Sequence, residues 1–237
     1  MKKKGYQGIL RILFGFSLIL FFSSCGLPVY YIIYPPVNAD SLPGDTQESR
    51  FFSFKTADNL NKEYAKEIYR GIDVYYKIYN NKEKCDSDIN QIQAVNSDFS
   101  QSGFNKMQSL GYAKLISKPS LYDSTDILFK KETSDHFIKI RLFDEGPEDS
   151  RYEAGFKIND IVSSGSKPIR SNGKNFQFDD KNPPEQDDAD YKHNVGESDS
   201  FWVTAYAVSV GRDGFFQAYY SSLLPLGSIK IPKGTSN

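Results

Sequence analysis

The strongest constraint on how this chain folds is a strict alternation of side chains. From Gly71 to Tyr79, Ile72, Val74, Tyr76 and Ile78 alternate with Asp73, Tyr75, Lys77 and Tyr79. A period of two sends the sets to opposite faces of a pleated strand and does not suit the 3.6-residue period of a helix. A second stretch, Phe201 to Val210, is almost wholly apolar, as expected of a central strand buried on both faces. These two segments predict a β-rich fold with a sheet at its centre.

Shorter strands are predicted around them. Phe52 and Phe54 alternate with Ser53 and Lys55 over residues 50–55, and the same pattern recurs over 112–116, 127–131 and 137–143. Residues 152–158 and 175–178 read as short strands. The turn at Gly211, Arg212, Asp213 and Gly214 leads into a last strand over 216–231, broken by Pro225 as an edge strand would be. Between the first two strands, residues 57–69 are polar and Asn-rich and read as a turn, with a short helical turn as the alternative.

The texture changes after residue 83. Asp86, Ser87 and Asp88 can cap a helix in which Ile89, Ile92, Val95 and Phe99 recur on one face. A second short helix starts at Ser102, with Phe104, Met107 and Leu110 spaced by three and Gly111 placed to stop it. Residues 83–150 therefore read as an α/β segment inserted into a β domain that runs from about 45 to 232. The 16 Tyr and 18 Phe against one Trp suit such a fold, because aromatic side chains fill pleated, half-buried surfaces.

The start of the chain has a different character. Lys2, Lys3, Lys4 and Arg11 precede an apolar run over residues 12–22. That order is a signal peptide's charged start and apolar middle, and the run is about half of the roughly 20 residues needed to span a bilayer. It ends in Phe22, Ser23, Ser24, Cys25 and Gly26, which resembles the lipobox of bacterial lipoproteins, where small residues precede a lipidated cysteine. Phe22 stands where Leu is usual, a loosening that looks like spirochaetal lipoproteins. The resemblance implies a leader over 1–24, diacylglyceryl on Cys25, and an address at the cell membrane or outer membrane, facing periplasm or cell surface. Residues 25–44, with Pro28, Pro35, Pro36 and Pro43, read as a tether leading into the first edge strand, its apolar residues lying against the domain or the lipid surface.

The net charge of −1 becomes −5 once the four basic leader residues are removed, which gives no electrostatic reason to expect nucleic acid or anionic lipid as a partner. With Cys25 lipidated, Cys85 has no intrachain partner. Its neighbours Lys82, Glu83, Lys84 and Asp86 predict a partly exposed thiol.

The strands also resemble a fibronectin type III module. The residues that carry the likeness are Pro35 and Pro36, Phe52 and Phe54, Gly71 to Tyr79 as a third strand, and Phe201 to Gly214 followed by Tyr219, Tyr220, Ser221 and Ser222. The resemblance implies an immunoglobulin-like antiparallel sandwich, with the insert between its third and penultimate strands.

Catalytic and metal motifs are missing. His136 and His193 stand in no zinc-binding spacing, there is no GxSxG elbow, and no phosphate loop is present. The acidic loop with Asp179, Asp180, Glu185, Asp187, Asp188 and Asp190 has no calcium register and reads as solvated. The positive hint is aromatic. Tyr75 and Tyr79 form a candidate binding face for a protein or glycan, unless the inserted segment covers them. The expectation is a membrane-anchored, non-catalytic binding or structural module of the envelope, without cofactor or metal. The alternatives are a glycan-acting enzyme and an envelope-assembly subunit.

Overall fold

The computed structural model describes residues 31–39, 43–46, 49–117, 127–142, 155–159, 161–162, 167–178, 184, 188 and 199–232. In chain order these form β1 (Val37–Asn38), β2 (Phe51–Lys55), α1 (Asp58–Tyr64), β3 (Tyr69–Tyr79), α2 (Lys82–Gln93) and α3 (Ser102–Ser109). There follow β4 (Ala113–Lys114), β5 (Ile116–Ser117), β6 (Phe129–Lys130), β7 (Phe137–Arg141), β8 (Gly155–Ile158), β9 (Ile161–Val162) and β10 (Pro168–Ile169). The last strands are β11 (Ser200–Arg212), β12 (Ala218–Tyr220) and β13 (Leu224–Pro232).

The fold is mainly β, an antiparallel sandwich. One sheet has the order β1-β2-β7-β8-β9, and the other places β11 between β3 on one side and β12 and β13 on the other. The first, second and fifth strands of an immunoglobulin-like sandwich share a sheet opposite the third, sixth and seventh. Here β1, β2 and β7 take the first set, and β3, β11 and β13 the second. Between the sheets lies the main core: Phe52 and Phe54 of β2 and Ile138 and Ile140 of β7 meet Ile72, Val74, Tyr76 and Ile78 of β3 and Val203, Ala205 and Ala207 of β11.

The domain boundaries differ from the sequence reading in three places. The compact unit of the domain begins at Ile32, earlier than residue 45. Ile33 and Pro36 are buried and β1 pairs with β2, so the later part of the expected tether is a strand of the sandwich. The insert is also shorter than residues 83–150, since β7 pairs with β2 and belongs to the sandwich proper.

The expected turn over 57–69 is in part a helix. α1 begins at Asp58 without a side-chain cap, and tertiary bonds stabilise it instead. The fully buried Asn61 amide accepts from Tyr34 N at 2.8 Å and donates to Tyr34 O at 3.0 Å, clamping the start of the domain to α1.

β13 is an edge strand, and Pro225 lies beside a bulge. Ala205 pairs with Gly227 and Tyr206 with Pro225, leaving Leu226 as the extra residue. The missing proline N–H therefore costs little.

The acidic loop is not wholly solvated. Asp188 is 1% exposed, and its carboxylate accepts from Arg170 Nη1 at 2.6 Å and from Asn172 Nδ2 at 2.7 Å. Arg170, itself fully buried, also donates through Nε to Asn175 O and lies over the Phe178 ring. The pair ties residues 167–178 against the core, where Ser171 N donates to Tyr76 Oη at 2.8 Å. The other acidic positions of the loop lie outside the described residues.

Gly71 admits a close backbone approach. Its φ is +143°, and a Cβ there would sit 2.1 Å from Phe129 O and 2.8 Å from Ile127 Cγ2. Gly71→Ala should therefore push β6 off the edge of β3 and cost about 2 kcal/mol, read by urea unfolding followed by tyrosine fluorescence.

Candidate functional site

Both faces of β3 are buried. Ile72, Val74, Tyr76 and Ile78 fill the inter-sheet core, as the alternation predicts. Asp73, Tyr75, Lys77 and Tyr79 point the other way and are covered. The cover is α2, α3 and the chain after them: Cys85 and Ile92 of α2, Phe104 and Met107 of α3, and Tyr112 pack with Tyr75, Tyr79, Tyr206 and Val208. Tyr75 meets Phe104 edge-on with ring centroids 5.5 Å apart. Tyr75 and Tyr79 are thus no exposed ladder, and the candidate binding face is an interior seam. The alternation could place them on one face but could not say that helices lie upon it.

The charges on this covered face are satisfied internally. Lys77 Nζ donates to Asp88 Oδ2 at 3.0 Å and to Leu110 O. Tyr79 Oη donates to the same Asp88 oxygen at 3.0 Å and lies 3.1 Å from Tyr112 Oη, and Lys84 holds Asp88 Oδ1 at 2.6 Å. Burial pushes the Asp88 carboxyl up, but the bonds from Lys84, Lys77 and Tyr79 outweigh it and hold it below the usual carboxylate range. Burial also drives the Tyr79 and Tyr75 hydroxyls far above a phenol's ordinary value. On the same strand Asp73 bonds Lys114 Nζ at 2.8 Å and Leu128 N at 2.9 Å, fastening the segments of β4 and β6 to β3.

Two sequence expectations about α2 are corrected by this packing. The helix starts earlier than Asp86, capped by Asn81, whose side chain accepts from Lys84 N at 2.9 Å. Asp88 is therefore a mid-helix residue facing inward, in line with Cys85 and Ile92. Cys85 is fully buried, with Sγ 3.3 Å from Thr204 Oγ1, and desolvation pushes its thiol up while bonding to Thr204 and Ser228 opposes the shift. Its charged neighbours in sequence lie on the helix's outer side, so local composition misjudged its exposure.

Open concavity occurs instead beside α1. A cleft of about 190 Å³ opens between the sheets, lined by Thr56, Asp58, Phe129, Glu132, His136 and Phe156 among others. A neighbouring hollow of about 270 Å³ shares Asp58 and Glu132 and adds Lys62, Lys66, Tyr69 and Lys131. Both fall short of the roughly 300–1,000 Å³ of ordinary small-molecule sites. Each has room for one side chain or one sugar ring. Asp58 serves the framework here, accepting from Glu132 N at 3.1 Å, and His136 N donates to Thr56 Oγ1 at 2.8 Å. The His136 ring, half-buried where β7 opens, leaves Nδ1 without a hydrogen bond. The polar, apparently loop-like sequence over 57–69 gave no sign that it would build a wall of this cleft.

Among the described residues, no three His, Cys, Asp or Glu side chains come together in a group able to hold a metal ion. Cys25 and His193 lie outside the described residues. No family model, curated protein or solved structure matches the chain.

Two outcomes follow from the covered face. Native Cys85 should resist maleimide, and it should react at the rate of free cysteine once urea unfolds the domain. Asp88→Asn should leave the Lys77 ammonium buried beside a neutral partner and destabilise by about 3 kcal/mol in urea titration. The Asp88 carboxyl lies lower in the folded than in the unfolded state, so its contribution is full above the unfolded value, about 3.9, and is lost as pH falls through the folded one. The Asn variant should accordingly show a flatter loss of stability below about pH 4.

Proposed function

We propose that this chain is a lipid-anchored protein of a bacterial envelope, acting as a non-catalytic binding or structural module. The observation that carries the reading is the segment Phe22-Ser23-Ser24-Cys25-Gly26 behind a charged and apolar leader, only seven residues before the compact unit begins at Ile32. One acyl chain holds a protein marginally, while two or three hold it stably, at about 0.8 kcal/mol per buried methylene. A diacylglyceryl cysteine therefore suffices as an anchor.

The interior supports a scaffold or binding role over catalysis. The two buried carboxylates with perturbed titration, Asp73 and Asp88, are bonded to strands and helices and line neither cleft, and in the second hollow the perturbed group is the phenol of Tyr69, driven up by burial. A catalytic acid or base would instead be perturbed and exposed to a substrate-sized pocket. The partner in this reading is a protein or a glycan, met by the loops and by the hollows beside α1. The two hollows suit single side chains or sugar rings of a larger ligand.

Cys25→Ala should abolish incorporation of labelled palmitate and move the chain out of the membrane fraction. Label and membrane association both persisting in the variant would refute the anchor. Protease shaving of intact cells, with a periplasmic protein as integrity control, then assigns the partner's compartment. Loss of the domain while the control survives means contact with a host or neighbouring cell; protection of both means a partner within the envelope.

A further inference from the structure

The end of the domain next to the tether carries aromatic side chains in places that the fold does not explain. β11 and β12 are joined by a hairpin whose tip presents Phe215 and Phe216, 93% and 83% exposed. The tip is ordered around Asp213. Its Oδ1 accepts from Phe215 N and Gln217 N, both at 2.9 Å, and its Oδ2 accepts from Tyr219 Oη at 2.9 Å. Phe216 N also donates to Asp213 O. Two phenyl rings are thus held out on a rigid support.

The hairpin's base adjoins the start of the domain. A Cβ on Gly211 would meet Ile33 Cδ1 at 2.5 Å, and Tyr219 packs with Ile33, Ile68 and Tyr69. One residue further along, the Tyr34 ring lies 5.4 Å from that of Tyr64 and 5.9 Å from that of Phe99, both mostly exposed, and Ile32 is exposed beside them. Backbone geometry singles out the same residues. Of the three described non-glycine residues at positive φ, two are Phe99 at 57° and Phe216 at 64°. Glycine would fit those positions without strain, and a polar residue would not expose apolar surface to water. Phenylalanine there incurs both costs; Phe99 keeps an edge contact with Tyr34, while Phe216 is more exposed still.

We infer that this aromatic end, Phe215 and Phe216 with Phe99, Tyr64 and Ile32, inserts into the bilayer surface and seats the domain on the membrane that holds its lipid. The inference rests on the lipid anchor proposed above. Seven residues from Cys25 to Ile32 reach at most about 25 Å, so an anchored Cys25 keeps this end within range of the headgroups. Exposed rings on an ordered tip suit the interface, where apolar faces leave water while polar atoms keep it. Because the patch is apolar and the mature chain acidic, zwitterionic lipid should suffice.

The test uses the full, lipidated chain in phosphatidylcholine vesicles with or without brominated acyl chains. Phe215→Cys carries an environment-sensitive fluorophore, and the buried Cys85 escapes labelling. Glu83→Cys is the control, at the far end of β3, about 35 Å away at 3.3 Å per residue. Brominated lipid should remove most of the emission at position 215 and leave that at position 83 unchanged. Equal, unquenched emission from both positions on floated vesicles would overturn the inference while leaving the anchor intact. A blue-shifted label at 215 that brominated lipid does not quench would mean a protein partner covers the tip, and would overturn it as well. The mass of the N-terminal peptide reads the acyl group separately. Quenching decides the inference whether acyl chains or an uncleaved leader hold the chain, and failure of the chain to float would overturn both.

Discussion

The antiparallel ladder between β3 and β11 is covered on both faces, and that double burial sets the terms for the rest of the domain. One face is apolar and builds the inter-sheet core. The other carries Asp73, Lys77 and Thr204, which a buried sheet can keep only if each finds a partner. α2 supplies Asp88 for Lys77, the segment at β4 supplies Lys114 for Asp73, and Cys85 lies against Thr204. The insert is therefore held to the sheet by charge and hydrogen bonds as well as by Phe104, Met107 and Ile92.

The same device recurs wherever an aperiodic segment must be fixed. Asn61 clamps Tyr34 at the start of the domain, and Arg170 with Asp188 ties a proline-rich acidic loop to the core beside Tyr76. Such groups contribute little net stability over well-packed apolar side chains, but removing one partner leaves a charge or amide stranded. Their effect is to specify one placement for segments whose sequence has no periodicity to do so.

This use of polar residues shapes what the surface has left to offer. Tyrosines and a cysteine that could have met a ligand are built into the seam beneath α2 and α3. Exposed aromatic side chains remain instead on the hairpin tip, at Phe215 and Phe216, and beside Tyr34, at Tyr64 and Phe99.

The architecture was legible in the sequence where periodicity is strong. The alternation over 71–79 and the apolar run over 201–210 identified the two central strands, and Phe52 and Phe54 identified a strand of the opposing sheet, because a period of two has one structural meaning. The helix from Ser102 was legible because Phe104, Met107 and Leu110 recur at a helical spacing. The misread features are those that depend on what lies across space. Asp58–Tyr64 form a helix because Asn61 and Asp58 find distant backbone partners; Asp88 and Cys85 are buried because their helix turns them toward β3; Asp188 is buried because it bonds Arg170. Periodicity and composition determined the β-rich class. Only the tertiary structure decided which polar side chains face inward and which aromatics stay outside, since burial is a property of the partner and not of the residue.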